Sequence, residues 1–200
     1  MDVREDPIPV PRSARLPIEL APPAGFRPDD SSTWPKVVGR LEYVRGRLMY
    51  MPPCGDVQQD VCYSLAALLM GWVKTHRDFV AGGNEAGMVL GGDVRAADGA
   101  VWRRDQVGGH TGGYRRVPPV LAVEVAGREE QEADLREKAA WYLGHGVKVV
   151  WLVLPDTREV VVVAPEGERR HGRGDTLPPN PALPGLVAPV TELFDQLDPT

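Results

Sequence analysis

Apolar and polar residues alternate along the chain with two spacings, one typical of strands and the other typical of helices. Residues 41–44 and 47–51 flank the dipeptide Arg45-Gly46, in which the glycine can adopt positive φ, so these segments predict a β-hairpin. Between residues 57 and 75, apolar side chains recur at the spacing of one buried helical face, which predicts a long amphipathic helix. A hairpin followed by a helix is therefore expected in the first half of the chain.

Short apolar segments separated by glycine pairs follow this helix. The apolar segments are residues 78–81, 88–90 and 100–103, and the glycine pairs are Gly82-Gly83 and Gly91-Gly92. Because glycine pairs are strong turn signals, the pattern predicts several short strands joined by turns.

The second half of the chain predicts a buried strand, a helix and more strands. Residues 120–125 (VLAVEV) predict a strand that is buried on both faces, and residues 129–144 predict a helix that ends at a glycine. Residues 147–154 and 159–164 predict two further strands, and residues 190–197 predict a short helix. This order of elements indicates a mixed α/β domain, in which a central mixed sheet is flanked by helices.

Prolines divide the chain into two parts. Seven of the 20 prolines fall within residues 1–30 and interrupt each apolar cluster there, so no regular element is expected to propagate in that stretch. We therefore expect an extended N-terminal arm over residues 1–30 and a single domain over residues 31–200, a length that suits one hydrophobic core.

The composition is that of a soluble globular protein, with 42% hydrophobic and 26% charged residues. No apolar run approaches the ~20 residues needed to cross a bilayer, and the first residues lack the apolar stretch of a signal peptide. Cys54 and Cys62 are the only cysteines and cannot build a disulfide framework. We therefore expect a cytoplasmic protein with no membrane partner.

The net charge of −5 argues against a protein that coats nucleic acid by bulk electrostatics, because phosphate binding depends on Lys and Arg. A local arrangement of basic residues can still bind nucleic acid. Residues 104–117 are glycine-rich and polar, which predicts a mobile loop. Its basic pair, Arg115 and Arg116, is a candidate for binding substrate phosphates.

Two carboxylates are the first candidates for chemistry. Glu124 interrupts an otherwise apolar strand, and a buried charge is costly unless it is paired or bound to a metal; it could instead lie at a sheet edge and reach solvent or an arginine. Asp98 is predicted at the entrance to a strand, where Asp-Gly alone favours a turn. Taken together, two carboxylates at the mouths of neighbouring strands can hold a hard divalent cation.

Lys138 is the third candidate and lies on the helix predicted after the Glu124 strand. One interpretation is a surface ion pair with Asp134, four residues earlier on the same helix. The other is a cation near a scissile phosphate, where it would orient the attacking water and offset charge in the transition state. The spacing alone leaves both interpretations open.

At these three residues the chain resembles a bacterial family named "putative restriction endonuclease", a branch of the PD-(D/E)XK nucleases. The resemblance spans about residues 38–195 and depends on the order and spacing of several segments: LEYVRGRLMYMPP, ADGAVW, PPVLAVEVAG, ADLREKAAWYLGHGVKVVWLVLPD and EVVVV. It implies a restriction-endonuclease-like fold and phosphodiester hydrolysis of nucleic acid, with DNA as the expected form. It assigns Asp98, Glu124 and Lys138 as catalytic residues.

The resemblance also implies a cofactor and an assembly state. Mg²⁺, or Mn²⁺, would be held by Asp98, Glu124 and the backbone carbonyl of Val125, and would polarise the phosphate and lower the pKa of a bound water. A homodimer is expected, because related nucleases cut one strand with each subunit. Glu42 and Tyr142 also fall on recurrent family positions, and Gln58 stands at the start of the first helix, where the family often has a histidine. Supporting roles are assigned to these three residues, and for Tyr142 simple packing is the favoured alternative.

Several positions depart from the family pattern. Ala97 replaces the usual proline before the aspartate, residues 127–130 (GREE) replace a common Ser-Pro-Ser segment, and Gln58 replaces a frequent histidine. These changes leave an alternative function open, in which a catalytically inactive nuclease-like fold binds nucleic acid or a partner protein.

Overall fold

The computed structural model describes residues 16–128 and 130–198, and in this part of the chain nine strands form one sheet with four α-helices. The strands are β1 (Ile18–Leu20), β2 (Arg40–Val44), β3 (Arg47–Met51), β4 (Phe79–Leu90), β5 (Asp93–Arg103), β6 (Leu121–Val125), β7 (Val149–Leu154), β8 (Glu159–Ala164) and β9 (Gly167–His171). The helices are α1 (Asp56–Thr75), α2 (Arg104–Val107), α3 (Glu132–Gly144) and α4 (Val190–Phe194). The predicted mixed α/β class is confirmed.

The strand β5 joins the hairpin to the rest of the sheet. The strands follow the order β1-β3-β2-β5-β6-β7-β8-β9, and β4 also pairs with β5. The pair β6 and β7 is parallel, with α3 as the crossover between them, and the other described pairs are antiparallel. The strand β5 pairs with β2 at Val94 and with β6 from Gly99 to Val101. The hairpin therefore lies beside the part of β5 that β6 does not cover.

Two hydrophobic clusters cover the two faces of the sheet. Alternate residues of a strand point to opposite faces, so Val123 packs with Leu65 of α1 whereas its neighbour Ala122 packs with Leu135 of α3. The helix α4 and the C-terminal segment before it join the α1 cluster. The central strands are buried on both faces, as the sequence predicts for β6.

The hairpin turn is confirmed where the sequence predicts it. Arg45 and Gly46 connect β2 to β3, and their φ angles are 50° and 83°. Two positive φ angles in a two-residue loop are typical of the turns whose twist matches that of antiparallel strands. The predicted helices at residues 57–75 and 190–197 are also confirmed, the second as α4 followed by a 3-10 turn at Asp195–Leu197.

The predicted turn at Gly91-Gly92 is confirmed, but the prediction of several short strands is wrong, because residues 79–103 form only the two long strands β4 and β5. Gly82 and Gly83 lie inside β4, and the pairing shifts at a bulge between Gly83 and Ala86. A Cβ at Gly82 would lie 3.0 Å from the Trp102 ring, so glycine allows a close approach there. Asp98 is consequently within β5, away from any turn.

Other boundaries also differ from the predictions. Within residues 1–30, β1 is a regular strand that pairs with β3, so the expectation of no regular element is wrong there; residues 1–15 lie outside the described residues. The helix α3 begins three residues later than predicted, at a capping box formed by Gln131 and Asp134, which satisfies the first backbone N–H groups. The charged, exposed edge strand β9 lacks the apolar alternation that predicts strands.

The loop at residues 104–117 begins with the single helical turn α2 and otherwise has little regular structure. Among the described residues, none of the helices combines the length and apolar character required to span a membrane.

Candidate functional site

The two candidate carboxylates lie on the same face of the sheet. The antiparallel ladder between β5 and β6 ends at Gly99 and Val123, and the next residues outward are Asp98 and Glu124. Residues that face each other across an antiparallel ladder project to the same side. A Cβ at Gly99 would lie 2.8 Å from Leu65, so Gly99 faces α1 and Asp98 faces the opposite side. Both carboxylates therefore lie on the α3 side.

The carboxylate of Asp98 extends the contact between the two strands. Its Oδ2 atom accepts a hydrogen bond from the backbone N–H of Val125 at 2.8 Å, beyond the last backbone pair of the ladder. Its Oδ1 atom lies 3.3 Å from Nη1 of Arg40 on β2. Burial raises the pKa of Asp98, and the nearby cations only partly oppose this effect.

Glu124 is held by two side chains from one face of α3. Nζ of Lys138 donates to Oε2 at 2.9 Å, and the hydroxyl of Tyr142 donates to Oε1 at 2.6 Å. Lysine and tyrosine are four residues apart, which places them one above the other on a helix. Glu124 is only 1% exposed, and burial raises its pKa to about 7. The alternative of an edge glutamate that reaches solvent or an arginine is therefore wrong.

Lys138 is buried and contacts a second carboxylate. Its Nζ donates to Oε1 of Glu130 at 3.0 Å, and Oε2 of Glu130 accepts the backbone N–H of Gly127 at 3.0 Å. Burial acts to lower the pKa of Lys138, but the charges of Glu124, Glu42 and Glu130 outweigh it and raise the pKa. The surface interpretation of Lys138 is wrong, and the lysine stays charged.

The supporting residues occupy the same region. Both Glu42 carboxylate oxygens accept hydrogen bonds, one from Nη1 of Arg95 at 3.2 Å and the other from the backbone N–H of Ala96 at 3.2 Å. The side-chain amide of Gln58 donates to the backbone carbonyl of Val125 at 2.9 Å. The carbonyl that the family resemblance assigns to a metal is thus fixed in direction by the first turn of α1.

The charges of this cluster are not balanced. Four buried or half-buried carboxylates face three cations in the contacts given above: Glu42, Asp98, Glu124 and Glu130 against Arg40, Arg95 and Lys138. A surplus of negative charge in a dry environment favours an added proton or cation. Oxygen ligands of this type fit a hard divalent ion, although no three His, Cys, Asp or Glu side chains of the described residues form a complete metal site.

A cavity of about 450 Å³ opens beside the cluster. One wall carries Arg40 and Glu42 of the hairpin and Arg95 of β5, and the opposite wall is the β6–α3 connection and α3, including Glu130 and Lys138. A cavity of this size accepts a nucleotide-sized group.

The predicted substrate-binding pair lies elsewhere. Arg115 packs over the Trp102 ring at 4.7 Å, and Arg116 is exposed, with Nη2 3.3 Å from Asp29. Neither residue lines the cavity. A role for this pair in substrate binding stays a prediction.

Sequence reasoning missed four charged residues of this region: Arg40, Glu85, Arg95 and Glu130. Glu85 lies in the β4 bulge opposite Asp98 and has a φ of 64°. Partial burial, followed by the charges of Asp98 and Glu42, raises the pKa of Glu85. A signal for Arg40 was available, because it precedes Glu42 by two positions on a strand and so must share its face.

Comparisons with known proteins identify the fold and the family of the chain. The chain is similar to a crystallised protein from Anabaena variabilis ATCC 29413, described as "a putative nuclease belonging to DUF820", with 18% identity and a TM-score of 0.75. The alignment covers 86% of this chain and 99% of that one, and at this identity it shows a shared fold. No curated protein matches the chain. A family profile matches residues 28–191, and the chain therefore belongs to the family described as "Uma2: Putative restriction endonuclease".

Proposed function

We propose that this protein is a divalent-metal-dependent endonuclease that hydrolyses phosphodiester bonds of nucleic acid, with DNA as substrate. The observation that carries the proposal is the position of Asp98 and Glu124 on one face of the sheet, with Lys138 bonded to Glu124, beside a cavity of nucleotide size. Membership in a family named for restriction endonucleases supports the same reaction.

The residues that would hold Mg²⁺ or Mn²⁺ are Asp98, Glu124 and the backbone carbonyl of Val125. Each side-chain oxygen here already accepts one hydrogen bond, but a carboxylate oxygen has a second lone pair for a ligand. When bound, a divalent ion of this kind supplies Lewis acidity to the phosphate and lowers the pKa of bound water.

The chain's own residues have distinct tasks in this proposal. Lys138, held charged between Glu124 and Glu130, offsets the charge that develops on the phosphate. Tyr142 fixes the orientation of Glu124, and Gln58 fixes the Val125 carbonyl. A homodimer would let two such sites cut the two strands of a duplex.

A second candidate function is a catalytically inactive fold that binds nucleic acid or a partner protein. The observation that favours it is that each acid of the pair already has a protein cation as a partner, Arg40 for Asp98 and Lys138 for Glu124. A cluster neutralised in this way can persist without a metal.

Cleavage assays separate the two functions. Purified protein is incubated with plasmid and with single-stranded DNA in Mg²⁺ and in Mn²⁺, and the variants Asp98→Asn, Glu124→Gln and Lys138→Met are compared with it. We expect each variant to lose about 100-fold or more of the cleavage rate. Glu192→Gln, an exposed acid on α4, is the matched control and should cleave normally.

Metal titration by calorimetry adds a second readout. Binding of Mn²⁺ that is lost in Asp98→Asn and in Glu124→Gln, but kept in Glu192→Gln, supports the proposal. Equal cleavage by the wild-type protein and by Lys138→Met would point to a contaminating nuclease and would contradict it. Binding of DNA without metal-dependent cleavage would favour the inactive module.

A further inference from the structure

Two buried arginines line the cavity with unused hydrogen-bonding capacity. Arg40 and Arg95 have side chains that are 10% and 8% exposed, and both contribute to the cavity wall. The buried Nε atoms of both arginines have no hydrogen-bond partner among the described residues. A guanidinium group has five N–H donors, and leaving them unpaired in a dry site is costly.

The contacts that these arginines make with acids are incomplete. Arg40 reaches Asp98 through one nitrogen at 3.3 Å, and its Nη2 lies 3.1 Å from the sulfur of Met51, a weak acceptor. Arg95 reaches Glu42 through one nitrogen at 3.2 Å. An arginine that served only to neutralise a carboxylate would be expected to form a shorter, two-pronged pair.

Their positions bring the two guanidinium groups to one wall of the cavity. Arg40 and Glu42 are two residues apart on β2, so their side chains share a face, and Glu42 in turn bonds Arg95 on β5. Other basic residues of the cavity, such as Arg45 and Arg47, are exposed and therefore stay hydrated. The buried pair is therefore the least hydrated cationic part of the cavity.

We propose that Arg40 and Arg95 form a phosphate-binding pair, which receives a phosphodiester group of the nucleic-acid substrate in the cavity beside Asp98. Planar guanidinium groups match the geometry of phosphate oxygens, and the Nη groups, each of which makes only a single contact with an acid, supply the hydrogen bonds. This inference depends on the proposed function for the identity of the substrate, although the binding chemistry can be measured without cleavage.

The test measures binding in the presence of a chelator, so that no cleavage can occur. Inorganic phosphate is titrated by calorimetry, and a short fluorescent single-stranded oligodeoxynucleotide is titrated by anisotropy. We expect Arg40→Met and Arg95→Met each to weaken binding of both probes by about tenfold or more. Arg77→Met, which removes an exposed arginine outside the cavity, is the matched control and should bind normally.

Paired variants keep the test decisive if the single variants fold poorly. Arg40→Met with Asp98→Asn, and Arg95→Met with Glu42→Gln, remove each arginine together with the acid it contacts, so no unpaired buried charge remains. Loss of binding in these folded variants supports the inference. Unchanged binding in them, or no binding of either probe by the wild-type protein, overturns it.

The two proposals fail in different ways. If the wild-type protein cleaves DNA but the arginine variants bind as tightly as it does, the phosphate-binding pair is wrong and the nuclease proposal stands. If binding depends on both arginines but no cleavage occurs with any metal, the nuclease proposal is wrong and the pair stands.

Discussion

The two faces of strands β5 and β6 differ in whether they bury charged side chains. Toward α1, Val101 and Val123 pack into a continuous apolar cluster with Leu65. Toward α3, the same strands bury apolar residues such as Ala122 but also Asp98 and Glu124, which contact cations. The apolar face stabilises the fold through burial alone. The polar face gains little net stability, because desolvation of charges offsets their attraction.

Lys138→Met should give the largest loss of stability, because it removes the buried ion pairs of the polar face. It leaves Glu124 and Glu130 without their shared cation, and removal of one partner of a buried ion pair costs about 3–5 kcal/mol. Urea denaturation measures this as a lower free energy of unfolding. Adding Glu124→Gln should recover much of the stability without restoring cleavage. Failure of the second substitution to recover any stability would show that the lysine acts mainly by packing.

Leu65→Ala removes apolar contacts on the α1 side of the sheet and is the variant to compare with Lys138→Met. Leu65 is fully buried, so the truncation should lower the free energy of unfolding by about 2–5 kcal/mol, at the lower end if the site collapses. Cleavage per folded molecule should stay near the wild-type value, because the leucine faces away from the carboxylates. A loss of cleavage as large as that of Lys138→Met would remove the distinction between the faces.

The pH dependence of stability sharpens the comparison. The pKa of Glu124 is raised from 4.5 to about 7, so between these values the folded protein keeps a proton that the unfolded chain has lost. Its contribution to stability is therefore present below pH 4.5 and is lost as the pH rises through 7, with an upper bound on the order of 3 kcal/mol. The raised pKa of Asp98 acts in the same direction.

Unfolding experiments on both sides of this pH window test the effect. The free energy of unfolding should fall more steeply with rising pH in the wild-type protein than in Glu124→Gln, which cannot titrate. Identical slopes would contradict the raised pKa. The Leu65→Ala variant should keep the wild-type slope, because it leaves the polar face intact.

The sequence predicted most of the elements and the proximity of Asp98, Glu124 and Lys138, but it misplaced Asp98 at the entrance to a strand. The strand at Glu124 was predictable, because a continuous apolar run is typical of a doubly buried strand. The position of Asp98 inside a long strand was not predictable, because Gly82-Gly83 is locally a turn signal. These glycines lie within β4 because β4 pairs with β5 and because Gly82 lets the Trp102 ring approach closely. Tertiary packing decided that conflict.

The ion-pair partners of the buried cations were also hard to predict. Arg40 and Asp98 are 58 residues apart, and no local pattern reveals that β2 lies beside β5. Glu130 replaces part of a family segment, so a comparison of motifs scores it as a departure although it holds Lys138. Partners of buried charges depend on sheet order, which a single sequence specifies poorly.

The bond from the Val125 backbone to Asp98 has a consequence for any ligand. One carboxylate oxygen is fastened to a neighbouring strand, so the group cannot rotate freely about its terminal torsion while the sheet is intact. An incoming ion or phosphate meets an acid whose direction is already set, and little entropy remains to be lost when it binds. The backbone of the sheet thus fixes the direction of this side chain before any ligand binds.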